Sequence, residues 1–212
     1  MTNSRVAAIL LAGGESARMG RPKPLLVWGD ETLVEYQVRQ LREAGCDPVI
    51  VVLGAHEEAV RPLVHRMGAH AVVNELYAQG RASSVRVGAG ALPDDARAVL
   101  VLNVDQPRPA RVHQRLLAEF GESDRRIATP THEGVRGHPV VFEAALIPEL
   151  REVRESTAGL RAVMERHADD ILEVEFDSQI VLLDMNRPED YAAAKSTYFS
   201  AAKDEGRSVR SS

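Results

Sequence analysis

Four short, almost uninterrupted apolar runs set the frame: VAAILLAG (6–13), PVIVVLG (48–54), HAVVN (70–74) and RAVLVLNVD (97–105). Between and after them lie segments with helical apolar spacing near 31–44, 56–67, 81–92 and 109–120. Strands that are apolar on both sides need a sheet covered on both faces, and strands separated by helices pair in parallel. The fold class expected is therefore α/β, a three-layer α/β/α sandwich with a mostly parallel sheet. The second half breaks the rhythm. RRIATPTHEG and GHPVVFEAAL read as extended segments around a loop, followed by a helix near 157–168, strands in ILEVEF and IVLLDMN, and a last helix from about 188. These extra strands imply a mixed edge to the sheet. A single domain over residues 1–200 accounts for every periodic segment, and 201–212 lacks apolar periodicity and reads as a flexible C-terminal tail. No internal repeat or low-complexity linker interrupts the chain.

A chain of 212 residues suits one such domain, and folding at this size buries roughly 70% of the surface of the unfolded chain. The net charge of -5 argues against a general nucleic-acid binder, which needs a basic excess to neutralise phosphates. Any anion site must then be local. No signal-like leader opens the sequence, and no apolar run approaches a membrane span. The single cysteine, Cys46, begins a strand and reads as a buried structural thiol. A cytoplasmic protein with no membrane or nucleic-acid partner is the expectation.

The first strand runs into LLAGGESARMGRPKPLL, where Gly13, Gly14 and Gly20 alternate with Arg18, Arg21 and Lys23. Ligands of open α/β sheets bind beyond the carboxyl ends of the strands, which is where this stretch lies. Glycines bring main-chain N–H groups close to a ligand, and consecutive N–H groups in a concavity bind anions. Each added cation contributes about 4 kcal/mol of raw attraction to a phosphate at about 4 Å and an effective dielectric near 20. A tight turn with solvated cations explains the same residues, and taken alone the glycine pair does not decide between the two. The P-loop and the G-x-G-x-x-G dinucleotide loop are both excluded by spacing.

The arrangement Leu11-Ala12-Gly13-Gly14, Ser16, Arg18-Met19-Gly20 and Lys23 resembles the signature loop of the molybdenum-cofactor nucleotidyltransferases, whose domain is Rossmann-like. The resemblance implies that the loop wraps the triphosphate of an NTP, with Leu11, Ala12, Gly13, Gly14, Arg18 and Lys23 as nucleotide-binding residues. In LVLNVDQPRP, Asp105 ends an apolar strand expected beside the first; it reads either as a strand terminator or as a carboxylate for Mg²⁺ carried by phosphates. DQP looks like the family's metal element, which favours the ligand. Arg18, Lys23 and Asp105 are then the catalytic set. In LLDMNRPEDY, Asn186 with Glu189 reads as a helix capping pair and Pro188 as a first-turn residue. The segment also resembles one that supplies a second metal-side group, which implicates Asp184 or Asn186.

NELYAQGRASSVRVGAG places Ser83 and Ser84 at a helix start, where serines are mostly caps. The family's equivalent segment faces the base, which makes Gly80, Ser83 and Ser84 base-side candidates. Gly137, His138 and Pro139 in VRGHPVVF resemble an acceptor-side element of the cytidylyltransferase branch. Gly13 departs from the L-A-A-G of that branch toward the guanylyl type, and Pro22 stands where the guanylyl type carries an aspartate; the balance leans to CTP. Arg39, Arg42, Arg61 and Arg66 fall at helical spacing and read as solvated faces.

The expected reaction is attack of an acceptor phosphate, on molybdopterin by the resemblance, on the α-phosphorus of the NTP, with loss of pyrophosphate. A transient protein partner that receives the product fits this chemistry. The rivals are a sugar-phosphate nucleotidyltransferase, a guanylyltransferase, a nucleotide-binding regulatory module without turnover, and a dinucleotide-dependent oxidoreductase, the last disfavoured by the first turn.

Overall fold

The computed structural model describes residues 5–208, with side chains through 199. One sheet holds eight strands: β1 (Val6–Leu11), β2 (Cys46–Leu53), β3 (His70–Val73), β4 (Ala98–Asn103), β5 (Ile127–His132), β6 (Val135–Arg136), β7 (Val140–Glu143) and β8 (Ile171–Glu175). Their spatial order is β8-β5-β7-β4-β1-β2-β3, with β6 hairpinned onto β5. The pairs β1–β2, β1–β4, β2–β3 and β5–β8 are parallel, whereas β7 runs antiparallel to both β4 and β5. The mixed edge expected from the second half is thus built around β7.

The helices are α1 (Leu33–Glu43), α2 (Glu57–Arg66), α3 (Arg81–Gly90), α4 (Ala110–Gly121), the short α5 (Ile147–Leu150), α6 (Leu160–Arg166) and α7 (Pro188–Ser208). Alternate residues of β1 face opposite ways: Ala8 and Leu10 join a core with Val38, Leu41, Val60, Val64, Val112 and Leu116, while Ala7, Ile9 and Leu11 join another with Val85, Ala89, Leu150 and Val163. Both sheet faces are therefore sealed, which is why β1, β2 and β4 read as continuous apolar runs. Among the described residues no helix is long and apolar enough to cross a membrane.

Three local expectations differ. The strand expected in IVLLDMN is a 3₁₀ turn, Gln179–Leu182, followed by irregular chain; Ser178 Oγ accepts the Ile180 N–H at 3.4 Å, and Ile180, Val181 and Met185 are buried without a strand partner. Apolar content there signals burial rather than sheet pairing. The helix expected near 157–168 is confined to Leu160–Arg166, after a turn in which Ala158 and Gly159 take positive φ. The last helix continues to Ser208, into the segment expected to be a tail; residues 209–212 lie outside the described residues.

Cys46 is buried, and burial pushes its thiol up to about 12, as a structural thiol requires. Arg39, Arg61 and Arg66 form ion pairs with Glu31, Glu57 and Glu35, and Arg42 donates to the Met67 and Gly68 carbonyls. All four serve the helix surface.

Candidate active site

The strand order leaves β1 flanked by β2 on one side and β4 on the other, so the chain reverses direction across the sheet between β1 and β4. Leu11 pairs with Asn103 at that point. The loops leaving the ends of these two strands frame the crevice in which α/β sheets bind ligands. A cleft of about 770 Å³ occupies it.

The first wall is the loop after β1. Gly13 passes so close to the end of β2 that a Cβ would stand 3.3 Å from the Leu53 carbonyl, and a Cβ on Gly54 would stand 2.3 Å from the Gly13 oxygen. The glycine at position 13 thus has a packing reason of its own. Beyond it the loop folds back: Ser16 takes a left-handed conformation, and its Oγ accepts the Lys23 N–H at 3.0 Å. Arg18 is exposed on the cleft and makes no hydrogen bond or ion pair among the described residues.

The second wall carries acid groups. Lys23 Nζ donates to Asp105 Oδ2 at 2.6 Å and to Asn186 Oδ1 at 3.1 Å, with the Lys23 and Asp105 side chains each 15% exposed. Asp184 lies beside them. Desolvation, followed by the neighbouring Asp105 charge, raises its carboxyl above the usual range, against the pull of Lys23. Two carboxylates and an amide oxygen thus gather around one ammonium. An oxygen-only donor set suits a hard divalent ion such as Mg²⁺, and the ammonium marks where positive charge is accepted. Among the described residues no group of three or more His, Cys, Asp or Glu forms an all-protein metal cage, so substrate phosphates and water must complete any such shell.

The capping pair expected of Asn186 and Glu189 is not made. Asp190 Oδ2 instead accepts the N–H groups of Asn186 (3.1 Å) and Arg187 (2.8 Å), which leaves the Asn186 side chain for the cleft.

Leu11, Ala12, Gly13, Gly14, Arg18, Lys23, Gly80, Ser84, Asp105, His138 and Asn186 all line the cleft. Ser83, Gly137, Pro139 and Asp184 do not. Ser83 is buried, donates to the Gly80 carbonyl at 2.7 Å and accepts from Asn74 Nδ2 at 2.8 Å, so it ties the start of α3 to β3. Gly137 is a packing residue: a Cβ there would lie 2.2 Å from the Val181 oxygen. His138 is half-buried, and burial, then the charges of Arg108 and Arg81, pushes its pKa to about 4, leaving a neutral imidazole at pH 7.

Sequence reasoning missed Arg81, Glu155 and the apolar floor. Arg81 opens α3, lines the cleft and is exposed. A cation in the first turn opposes the helix dipole, and that misfit was the available signal. Glu155 Oε2 accepts the Ala82 N–H at 2.9 Å from a turn 73 residues away; no local pattern announces it. Val85, Val101, Val140, Leu160 and Met164 line the cleft away from the loop.

The family described as the MobA-like NTP transferase domain matches residues 8–171. The nicotine blue oxidoreductase of Paenarthrobacter nicotinovorans is 31% identical over 176 residues, covering 76% of this chain and 82% of that protein. A molybdenum cofactor guanylyltransferase of Rhizobium leguminosarum bv. trifolii is 32% identical over 212 residues (91% of this chain, 92% of that protein). The molybdenum cofactor cytidylyltransferase of Escherichia coli is 24% identical over 196 residues (92% and 98%). A Mycobacterium tuberculosis H37Rv protein solved in complex with manganese superposes with a TM-score of 0.75 at 25% identity, covering 91% of this chain and 99% of that one. With the domain match spanning most of the sheet and both walls of the cleft meeting at the strand reversal, the chain belongs to the MobA-like NTP transferase domain family and is a nucleotidyltransferase of that type.

Proposed function

We propose that this nucleotidyltransferase moves a cytidylyl group from CTP to the phosphate of a molybdopterin-type acceptor and releases pyrophosphate, with Mg²⁺ as counterion. The observation that carries the reading is the Lys23 ammonium bridging the glycine loop to Asp105 and Asn186. A phosphate chain lying along the loop meets the N–H groups beyond Gly13, the unpaired Arg18 and Lys23. Once Lys23 turns to the phosphates, Asp105 and Asn186 are free to hold the metal, with Asp184 beside them. A divalent ion held by these residues would supply positive charge against the charge that grows on the transferring phosphoryl group. The acceptor phosphate is already ionised, so the protein needs no general base. Its work is to hold two anions in line while Lys23 and Arg18 offset growing charge.

The apolar floor of Val85, Val101, Val140, Leu160 and Met164 suits a flat ring system better than a polyol, and Arg81 and the neutral His138 stand at its rim as donors to the acceptor. CTP is favoured by the Arg136–Pro139 string and by Pro22. Gly13, which points toward the guanylyl type in sequence, is accounted for by its contact with Leu53. GTP is the second reading, favoured by the similarity to a guanylyltransferase.

The test is pyrophosphate release and thermal shift with CTP, GTP, ATP and UTP, with and without Mg²⁺, and with molybdopterin or a sugar 1-phosphate as acceptor. CTP at 100-fold over its Kd is expected to add about 2.7 kcal/mol of stability, and only the CTP–molybdopterin pair to turn over. Turnover with GTP alone replaces the base, and turnover with a sugar phosphate replaces the acceptor. Nucleotide binding without pyrophosphate release, or NAD(P)H-dependent reduction of a heterocycle in its place, overturns the proposal.

A further inference from the structure

Arg108 is the anomaly of the interior: a guanidinium with no exposure and, among the described residues, no carboxylate in contact. Its donors go to four main-chain carbonyls. Nε donates to His138 O at 3.0 Å, one terminal nitrogen to Pro107 O at 2.9 Å, and the other to Val181 O at 2.7 Å and Leu183 O at 2.9 Å. Burying a charge this way is costly: burial, opposed by the charges of Asp184 and Asp105, pushes its pKa down to about 9, still above neutrality. Such a cost calls for a function that an apolar side chain of the same size cannot perform.

The four acceptors belong to the three segments that form the second wall. Pro107 follows Asp105 in the turn after β4, His138 faces the cleft, and Leu183 precedes Asp184, Met185 and Asn186. Those segments also touch one another: the Met185 N–H donates to Asp105 O at 3.0 Å, and the His138 N–H donates to Val181 O at 3.0 Å. Gly137 permits this crossing, since a Cβ there would collide with the Val181 oxygen. None of the three is tied to the others by regular sheet pairing at these residues, so apart from the Lys23 bridge between Asp105 and Asn186 their mutual placement rests on the guanidinium fork and two amides. Only arginine supplies donors spread across one rigid plane; a lysine ammonium offers three from a single point.

We propose that Arg108 is a positioning residue for nucleotidyl transfer, fixing the spacing of Asp105, Asn186 and His138 from beneath the cleft without touching substrate. The proposal rests on the reaction and metal site assigned under the proposed function. It separates the walls: loss of the fork disturbs metal and acceptor, while the glycine loop, which Arg108 does not contact, keeps its grip on the triphosphate.

The test is Arg108→Lys beside Asp105→Asn, assayed well below the melting temperature of each. In Arg108→Lys, kcat is expected to fall at least tenfold and the affinity for Mn²⁺, titrated directly without nucleotide, at least fivefold, with KM for CTP within threefold of wild type. A lowered melting temperature with kcat and Mn²⁺ affinity unchanged within twofold makes Arg108 a structural clamp only and overturns the proposal. Should Arg108→Lys fail to fold, amide hydrogen exchange of the wild-type protein decides. Mn²⁺ alone is expected to slow exchange at both Met185 and His138, and no change at His138 overturns the linkage. If Asp105→Asn too leaves turnover and Mn²⁺ binding intact, the metal site itself falls; if it abolishes both while Arg108→Lys changes neither, only the positioning role does.

Discussion

The two walls of the cleft are built on opposite principles. The wall after β1 is one continuous stretch, Gly13 to Lys23, shaped by its own backbone: a glycine pressed on Leu53, a left-handed Ser16, a hydroxyl that closes the loop on Lys23. Arg18, without a hydrogen bond or ion pair among the described residues, stands in solvent. The facing wall is assembled from residues 105–108, 137–139 and 181–186, which meet only in the folded state around a buried arginine. A local wall can offer charge cheaply because its groups stay hydrated. An assembled wall can fix geometry, because its groups are buried and bonded, and it pays for that in desolvation.

The sharpest way to break this contrast is at Lys23, where the walls touch. Lys23→Met is expected to lower turnover on the order of 10², the usual cost of removing one electrostatic stabiliser. The same substitution removes the ammonium that occupies Asp105 and Asn186, so Mn²⁺ affinity in the absence of nucleotide is expected to rise on the order of tenfold, measured by titration of free Mn²⁺. A fall in turnover accompanied by weaker Mn²⁺ binding would mean that Lys23 orders the acid site rather than filling it.

This difference also governs what the amino-acid sequence discloses. Strands β1, β2 and β4 and helices α1, α2 and α4 follow from apolar periodicity, because both sheet faces are sealed and each of these helices buries one stripe; α3 has no such period and buries Ser83, Ser84 and Gly88 among its small residues. The loop wall is legible because its residues are neighbours in the chain. Asp105 is legible because it ends a strand that must lie beside β1. The remainder of the assembled wall is not. Ser83 and Gly137 resemble site residues in their motifs, yet serve packing. Asn186 looks like a cap, yet its side chain accepts from Lys23, and Asp190 makes the reach-back bond expected of Glu189. Ile180 and Val181 look like strand residues, but the 181 and 183 carbonyls bond to Arg108. For Gly137 and for the 181 and 183 carbonyls the deciding partner lies tens of residues away, beyond any local pattern; Ser83 and the Asn186 N–H have near partners that several residue types could supply.

Arg81 tests whether a cation in this cleft acts through position or through charge alone. It starts α3, lines the cleft and bears on His138 and Asp184. Arg81→Ala is expected to raise KM for the acceptor about tenfold, the scale of one charge-assisted hydrogen bond, with kcat and KM for CTP changed less than threefold. Equal increases in both KM values in initial-rate kinetics would place Arg81 with the loop wall as general positive charge.

The smallest effect concerns stability, and it sets the assembled wall apart under acid. His113 on α4 has no exposure and, among the described residues, no partner for either ring nitrogen, and burial, then the charge of Arg108, pushes its pKa to about 3. His138 is depressed to about 4, first by burial and then by the same arginine. Both are neutral when folded and take up protons near pH 6.5 when unfolded, so the unfolded state binds more protons below that pH. Their stability contribution is complete above about pH 6.5 and is lost as pH falls toward 4 for His138 and 3 for His113. At pH 5 the loss for His113 is about 2 kcal/mol, or roughly 4–8 °C in a domain of this size. His113→Leu lies outside the cleft and removes that liability. Its melting temperature is expected to exceed that of wild type by several degrees more at pH 5 than at pH 8 in paired thermal melts. A gain of equal size at both values would mean that His113 already bonds a partner inside the fold, and the acid sensitivity of the assembled wall would then rest on His138 alone.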